Sequence, residues 1–330
     1  MPAETTMRAV VVSWNGAHLL PECLDSLHAQ DVPDLDIVVV DNASTDGTDE
    51  LLRLRYPQVR VVRTERNVGF AGGVVAGAAD FDGDWLLLLN NDATLAPDAA
   101  GALLRTLTAP DATRVGAATA KILLAPASDQ RETEPRLVNS TGNVVTTAGT
   151  GTDRDWLRPE GDESRDPDVF GFCGGAALLR ASALAEVGGF DASLFLYYED
   201  TDVSWRLRAA GWTVRYCADA VAVHRHASSS GTDSPVFRYF NTRNSLVVFA
   251  RHAPLRVAAS SFARQVAGLL RAAVREGAAS PGTRARARAL RDVVLRLPRT
   301  LHERRALWQH AVVPRRVVGR YLSRPEPLPD

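Results

Sequence analysis

Three polar, metal-competent side chains, Asn90, Asn91 and Asp92, follow directly on the apolar run Leu86-Leu87-Leu88-Leu89. Such a run reads as an interior strand of a parallel sheet, and open α/β sheets bind ligands just beyond the carboxyl ends of their strands. Mg²⁺ or Mn²⁺ takes oxygen ligands, commonly one or two carboxylates together with substrate phosphate oxygens. Asn90 and Asp92, two apart on a chain leaving a strand, can both face one such ion. An isolated Asn-Asn-Asp is more often only a polar turn.

A second constellation is Tyr197-Tyr198-Glu199-Asp200-Thr201-Asp202-Val203-Ser204-Trp205-Arg206. Acidic residues suit a helix start, and Asp202 to Arg206 has ion-pair spacing. Three carboxylates after two tyrosines exceed what capping needs, so one is a candidate general base, with capping an equal alternative. His224 and His226 follow an apolar β-type run, and a neutral imidazole can complete an oxygen-rich metal site. Asp41 suits the imide N–H of a uracil or thymine ring, because a carboxylate only accepts. Asp46 and Thr48 read as helix-capping residues. Asn67 and Gly69 permit close backbone approach to a diphosphate or ribose, although glycine often marks only a turn.

These residues need strand ends to carry them. Residues 8–13, 36–40, 59–63 and 85–89 read as strands, and 17–29, 48–56 and 70–79 as helices, which predicts a parallel sheet with right-handed crossovers. Ser13-Trp14-Asn15, Asp41-Asn42, Asn67-Val68-Gly69 and Asn90-Asn91-Asp92 then share one sheet edge. Further on, 97–108 reads as a helix, 115–118 as a strand, and 126–168 as a long functional loop or small sheet with weak strand signal near Val144. Residues 200–210 predict a helix closed by Gly211, and 213–217 a strand. From Pro235 the pattern is helical, interrupted by Pro281-Gly282, Pro298 and Pro314.

With 330 residues, 45% of them hydrophobic and 23% charged, the chain can bury a sizeable globular core. Cys23, Cys173 and Cys217 are widely spaced packing residues, which fits a reducing, cytoplasmic compartment. No signal-peptide pattern and no 18-residue apolar window occurs, so neither secretion nor membrane spanning is expected. The net charge of −1 conceals an asymmetry: residues 251–330 hold 17 arginines against 5 acidic residues. Nucleic acid, anionic lipid or a phosphate-bearing acceptor are the partners such a tail suggests. No nucleic-acid recognition motif accompanies it, and no nucleic-acid partner is expected.

Taken in order, Val12-Ser13-Trp14-Asn15, the run from Val40 to Thr48, Asn67-Val68-Gly69-Phe70-Ala71-Gly72-Gly73, Asn90-Asn91-Asp92, Glu199-Asp200-Thr201-Asp202 and His224 closely resemble the family-2 inverting glycosyltransferases, especially the rhamnosyltransferase-like branch. The resemblance covers about residues 7–250. It implies an α/β, GT-A nucleotide-diphospho-sugar transferase fold with a mostly parallel sheet, a Rossmann-like N-terminal half and a helical C-terminal extension. Residues 7–125 would bind the nucleotide sugar, 126–250 would form the acceptor side, and 251–330 would be a basic helical module. Implied too are a nucleotide-sugar donor, Mg²⁺ or Mn²⁺, and single displacement with inversion. By position, Asp41 would read the base, with Ser13, Trp14, Asn67, Gly69, Asn90 and Asn91 also on the donor. Asp92, Asn90 and His224 would hold the cation, and Asp200 would be the base with Glu199 beside it. Asp202, Trp205 and Arg206 would support the acceptor side and its helix.

Two departures stand out. Asn90 replaces the family's frequent Asp, and Val74-Val75 stand where relatives carry Asn, which predicts a lost sugar or ribose contact. A dTDP- or UDP-sugar is the expected donor, with rhamnose favoured by analogy and UDP-galactofuranose or a UDP-hexose or HexNAc as the alternative. The expected acceptor is a glycan or a polyprenyl-diphosphate-linked sugar of cell-envelope biosynthesis. A non-catalytic glycan- or lipid-binding module is the competing reading. In the tail, Phe262, Val266, Leu269 and Leu270 alternate with Arg264, Arg271 and Arg275, which suits peripheral contact with the inner face of the plasma membrane. A helix packed on its own catalytic domain, or a homodimer face, fits the same pattern.

Overall fold

The computed structural model describes residues 6–126, 135–225 and 234–325, so His226 and part of the 126–168 segment lie outside the described residues. The chain begins β1 (Met7–Ser13), α1 (Leu20–His28), β2 (Asp36–Asp41), α2 (Thr48–Arg55), β3 (Arg60–Arg63), α3 (Gly69–Ala78) and β4 (Trp85–Leu89). This is the alternation read from the sequence. β1 pairs in parallel with both β2 and β4, and β2 with β3, so Ser13, Asp41 and Asn90 emerge at one edge.

Beyond β4 come β5 (Ala93–Leu95), α4 (Ala99–Thr108), β6 (Val115–Leu124), β7 (Val138–Ser140), β8 (Asn143–Thr146), β9 (Gly151–Asp153), β10 (Ala176–Arg180) and α5 (Ala181–Glu186). They are followed by α6 (Glu199–Ala209), β11 (Thr213–His224), α7 (Pro235–His252), α8 (Leu255–Arg275), α9 (Pro281–His310), α10 (Arg315–Val318) and β12 (Leu322–Ser323). The main sheet runs β3-β2-β1-β4-β10-β6-β11-β5, with β7 on β6. It is parallel throughout only in the N-terminal half. β10 enters antiparallel between β4 and β6, because the chain reaches it through the β7–β9 excursion and not through a helical crossover. β8 and β9 form a small sheet, which resolves the choice left open for 126–168.

Strand alternation distributes the core. Ala9, Val11, Leu87 and Leu89 pack on one face with α1 and α4, while Val10, Leu86 and Leu88 pack on the other with α3 and α5. β4 is buried on both faces, which is why it carries an unbroken apolar run.

A third cluster joins Val145, Trp205, Phe249, Leu290 and Val318. It welds the basic C-terminal segment to β8 and α6. The expected division at residue 250 falls inside α7, and β12 returns to pair with β8. Pro298 does not interrupt α9, which runs through it. The local cost of an interior proline is about 3 kcal/mol, and the burial of α9 against α7 offsets it. Pro281 and Pro314 do mark boundaries, at the start of α9 and just before α10. No helix among the described residues is long and apolar enough to cross a membrane.

Candidate active site

A cavity of about 480 Å³ opens at the carboxyl edge of β1, β2 and β4. Trp14, Asn67, Gly69, Asn90, Asn91, Asp92 and His224 line it, so seven of the residues singled out by sequence come together. Facing them is an apolar wall of Phe70, Phe195, Leu196, Tyr197, Val236, Phe237 and Phe240. Phe195 stacks on Phe240 at 4.6 Å, and Tyr197 meets Phe237 edge-on at 5.2 Å. Polar groups at one side and aromatic surface at the other are what a small-molecule site requires.

At the polar end β4 and β11 deliver their terminal residues to one point. His224 Nε2 lies 3.0 Å from Asp92 Oδ1 and 3.4 Å from Asn90 Nδ2. Nδ1 of the same ring lies 2.6 Å from Asn139 Oδ1, which assigns Nδ1–H as the donor to Asn139 and turns Nε2 toward Asp92. Asn139, on β7, was not singled out from sequence, and nothing in its neighbourhood marks it. One carboxylate, one imidazole and one amide, which would present its oxygen after a flip, suit a divalent cation. No group of three His, Cys, Asp or Glu able to hold a metal occurs among the described residues, so such an ion would draw further ligands from a diphosphate.

Beneath this floor lie two of the expected donor residues. Ser13 is fully buried and its Oγ accepts from Asn91 Nδ2 at 3.1 Å. Asp41 is fully buried as well, with Oδ1 accepting from Ser44 N at 2.9 Å and Oδ2 from Arg63 Nη1 at 2.8 Å. Asn42 ties the neighbouring loops together, its amide reaching Asn67 Oδ1 and the Gly69 carbonyl while its oxygen accepts from Val68 N. Asp46 accepts from Thr48 N and Oγ1 and from Ala17 N, bracing the start of α2 against the β1 loop. Gly69 has φ +74, and a Cβ there would run into the Phe195 carbonyl. Its close backbone approach is therefore to this chain's own aromatic wall. Val74 is buried under the sheet and Val75 is exposed, and neither lines the cavity, so the contact expected to be lost at Val74-Val75 has no counterpart there.

The segment before α6 is bent into conformations that L-residues rarely adopt: φ is +68 at Phe195, +69 at Tyr197 and +70 at Tyr198. Arg243 and Asn244 of α7 hold it. Asn244 Nδ2 is 2.8 Å from the carbonyl oxygens of Leu194, Leu196 and Tyr197, and Arg243 Nη2 donates to those of Ser193 and Leu194. This bend starts α6 with Asp200 beside the cavity, its Oδ2 accepting from Gly174 N at 3.1 Å and its Oδ1 from Thr201 N at 2.6 Å. A Cβ at Gly174 would sit between Asp200 Oδ2 and the cavity-lining Phe70. Glu199 is buried: burial, reinforced by the Asp200 charge, pushes its carboxyl well above the usual range, and its Oε2 has no hydrogen-bond partner among the described residues.

Asp202, Trp205 and Arg206 do not line the cavity. Asp202 is fully enclosed, and although burial alone would raise its pKa, Arg206, His252 and Arg251 hold it far below the carboxylate range. Arg206 pairs with it at 2.8 Å, His252 Nε2 lies 2.8 Å away, and Trp205 stacks on His252. These three brace α6 against α7. A carboxylate that sequence reading passed over, Asp153 on β9, is pushed up to about 6 by burial, opposed by a hydrogen bond from Ser140 and reinforced by the Asp200 charge.

Residues 9–188 match the model of Glycosyl transferase family 2. The chain is 30% identical over 273 residues to the N-acetylglucosaminyl-diphospho-decaprenol L-rhamnosyltransferase of Mycobacterium tuberculosis, covering 75% of this chain and 87% of that protein. Among solved structures it resembles a Pyrobaculum calidifontis mannosyltransferase in complex with GDP-Man and Mn²⁺ (TM-score 0.54, 19% identity, 89% of this chain and 87% of that one). It also resembles residues 1–349 of S. aureus TarS in complex with UDP-GlcNAc (TM-score 0.54, 15% identity, 92% and 88% covered). At these identities the structures speak for the GT-A fold alone. With the family model spanning more than half of the sequence and the carboxyl-edge site in place, the chain belongs to glycosyl transferase family 2.

Proposed function

We propose that this protein transfers a sugar, rhamnose first among the candidates, from a dTDP- or UDP-linked donor to a hydroxyl of a polyprenyl-diphosphate-linked glycan, with inversion, in cell-envelope biosynthesis. The observation that carries the reading is the meeting of Asp92, His224 and Asn90 at the polar end of a cavity beside which Asp200 opens a helix. The named activity of the mycobacterial relative supports rhamnose and a lipid-linked acceptor.

Asp92 and His224, with Asn90, would hold Mg²⁺ or Mn²⁺. When bound, such an ion offsets negative charge on the departing diphosphate. Asn67 and Trp14 would face the nucleotide, while Asp41, enclosed beneath the floor and bonded to Ser44 and Arg63, would hold the loop under the base and not read it directly. Asp200 would take the proton of the acceptor hydroxyl as that oxygen bonds to the anomeric carbon. The bond from that carbon to the diphosphate oxygen breaks, and the electron pair leaves with the nucleoside diphosphate.

A thermal-shift screen of nucleotide sugars with Mn²⁺, followed by product analysis with the best ligand, tests this. A dTDP- or UDP-sugar should stabilise the protein only with the metal and yield an inverted glycoside. Equal affinity for dTDP or UDP in EDTA and in Mn²⁺ would refute the metal arrangement. Binding without product would favour a glycan- or lipid-binding module, and a UDP-galactofuranose or UDP-hexose preference would replace rhamnose.

A further inference from the structure

We infer that the outward face of α8 is a docking surface for an anionic lipid bilayer. α8 leaves much of its apolar surface facing outward. Its buried stripe is Val257, Ser261, Gln265, Gly268 and Ala272, mostly small or polar. Ser261 Oγ donates to the Gly149 carbonyl at 2.8 Å, and Gly268 lies against the Arg286 side chain. Val266 and Leu269 are half-buried against the third cluster, but four other large apolar residues face outward: Leu255 is 69% exposed, Phe262 40%, Leu270 62% and Val274 87%. Their offsets of seven, eight and four residues keep them on one helical face.

Arg256, Arg271 and Arg275 are exposed beside this stripe and form no ion pair among the described residues. The tail pattern read from sequence is thereby corrected in part. Val266 and Leu269 pack inward on the third cluster, and Arg264 donates to the carbonyls of Ala148 and Gly149. An apolar stripe flanked by unpaired cations suits the boundary between anionic headgroups and acyl chains. A second copy of the chain would bring the same arginines against themselves.

Position gives the surface a use. Arg238 in the first turn of α7 pairs at 2.7 Å with Glu276, the residue after α8, while its neighbours Val236 and Phe237 line the cavity. A docked α8 holds the aromatic side of the cavity near the headgroup plane, where the sugar of a lipid-linked acceptor lies. That use rests on the proposed acceptor, whereas the surface itself does not.

The test contains no sugar nucleotide, so its failure is separable from failure of the proposed activity. Full-length protein is sedimented with phosphatidylglycerol-containing and with pure phosphatidylcholine vesicles, beside the double variant Leu270→Glu/Val274→Glu and a control, Leu295→Glu, at an exposed apolar position of α9. Melting curves and far-ultraviolet circular dichroism confirm that the variants fold. Wild type and control should pellet with the anionic vesicles at low salt, and the double variant should partition about tenfold less. Equal pelleting of the folded double variant, or no pelleting of wild type, overturns the inference. A vesicle-free dimer that the same variant converts to monomer also overturns it and assigns the stripe to a second copy.

Discussion

Asn139 Oδ1 lies 2.6 Å from Nδ1 of His224, across 85 residues of chain, and thereby fixes which imidazole nitrogen faces Asp92. Partners of this kind typically contribute about 10- to 100-fold to metal affinity. Asn139→Leu should weaken Mn²⁺ binding in the presence of nucleotide by that factor, read by titration calorimetry, while the melting temperature in the absence of metal changes little by comparison. Unaltered Mn²⁺ affinity would detach Asn139 from the site.

Asp200 and Glu199 are adjacent and differ in environment. Asp200→Asn should keep donor binding and lower kcat by about 10²- to 10⁴-fold, since a positioned base contributes that much. Burial raises the Glu199 pKa and favours its neutral form. Glu199→Gln, a neutral isostere, should therefore retain most turnover. Steady-state kinetics with Asp200→Asn active and Glu199→Gln dead would reverse the assignment.

Asp153 makes stability depend on pH. Its pKa is raised to about 6 in the fold, against about 3.9 in an unfolded chain, so the unfolded state releases its proton first as pH rises. The stability linked to the protonated form is complete below about pH 4 and is lost as pH climbs through about 6. Asp153→Asn should match wild type at pH 4 and be more stable by about 1–2 kcal/mol at pH 7.5. Denaturant melts at the two pH values decide it, and a variant destabilised equally at both shows that Asp153 serves another purpose.

The bend at 195–198 depends on Asn244. Asn244→Ala strips hydrogen bonds from the Leu196 and Tyr197 carbonyls, Leu194 keeping Arg243, and each buried polar group left unsatisfied costs about 1–3 kcal/mol. Because these residues both wall the cavity and start α6 with Asp200, kcat should fall together with the melting temperature. Stability lost with kcat intact at a temperature where the variant is folded would limit Asn244 to a structural part.

The sequence determined the N-terminal βαβαβαβ half because each of its strands is a short apolar run and each helix has local spacing and end signals, as in Trp85–Leu89, whose strand ends where the apolar residues do. Adjacent parallel strands must then deliver Ser13, Asp41 and Asn90 to one edge, so that much of the site was legible without coordinates. What it could not decide is set by distant partners. Whether residues 126–168 form a loop or a sheet turns on the pairing of β8 with β9 and, through β12, with the far end of the chain. Asn139 matters only because β7 pairs with β6, which lies beside β11 and its terminal His224. Tertiary burial likewise enclosed the Glu199 carboxyl while leaving Asp200 beside Gly174 and Phe70, and turned the basic tail from a separate module into a wall of the third core. Local spacing sets which face of a helix is apolar. Only packing decides whether that face looks inward, as in α1, or outward, as in α8.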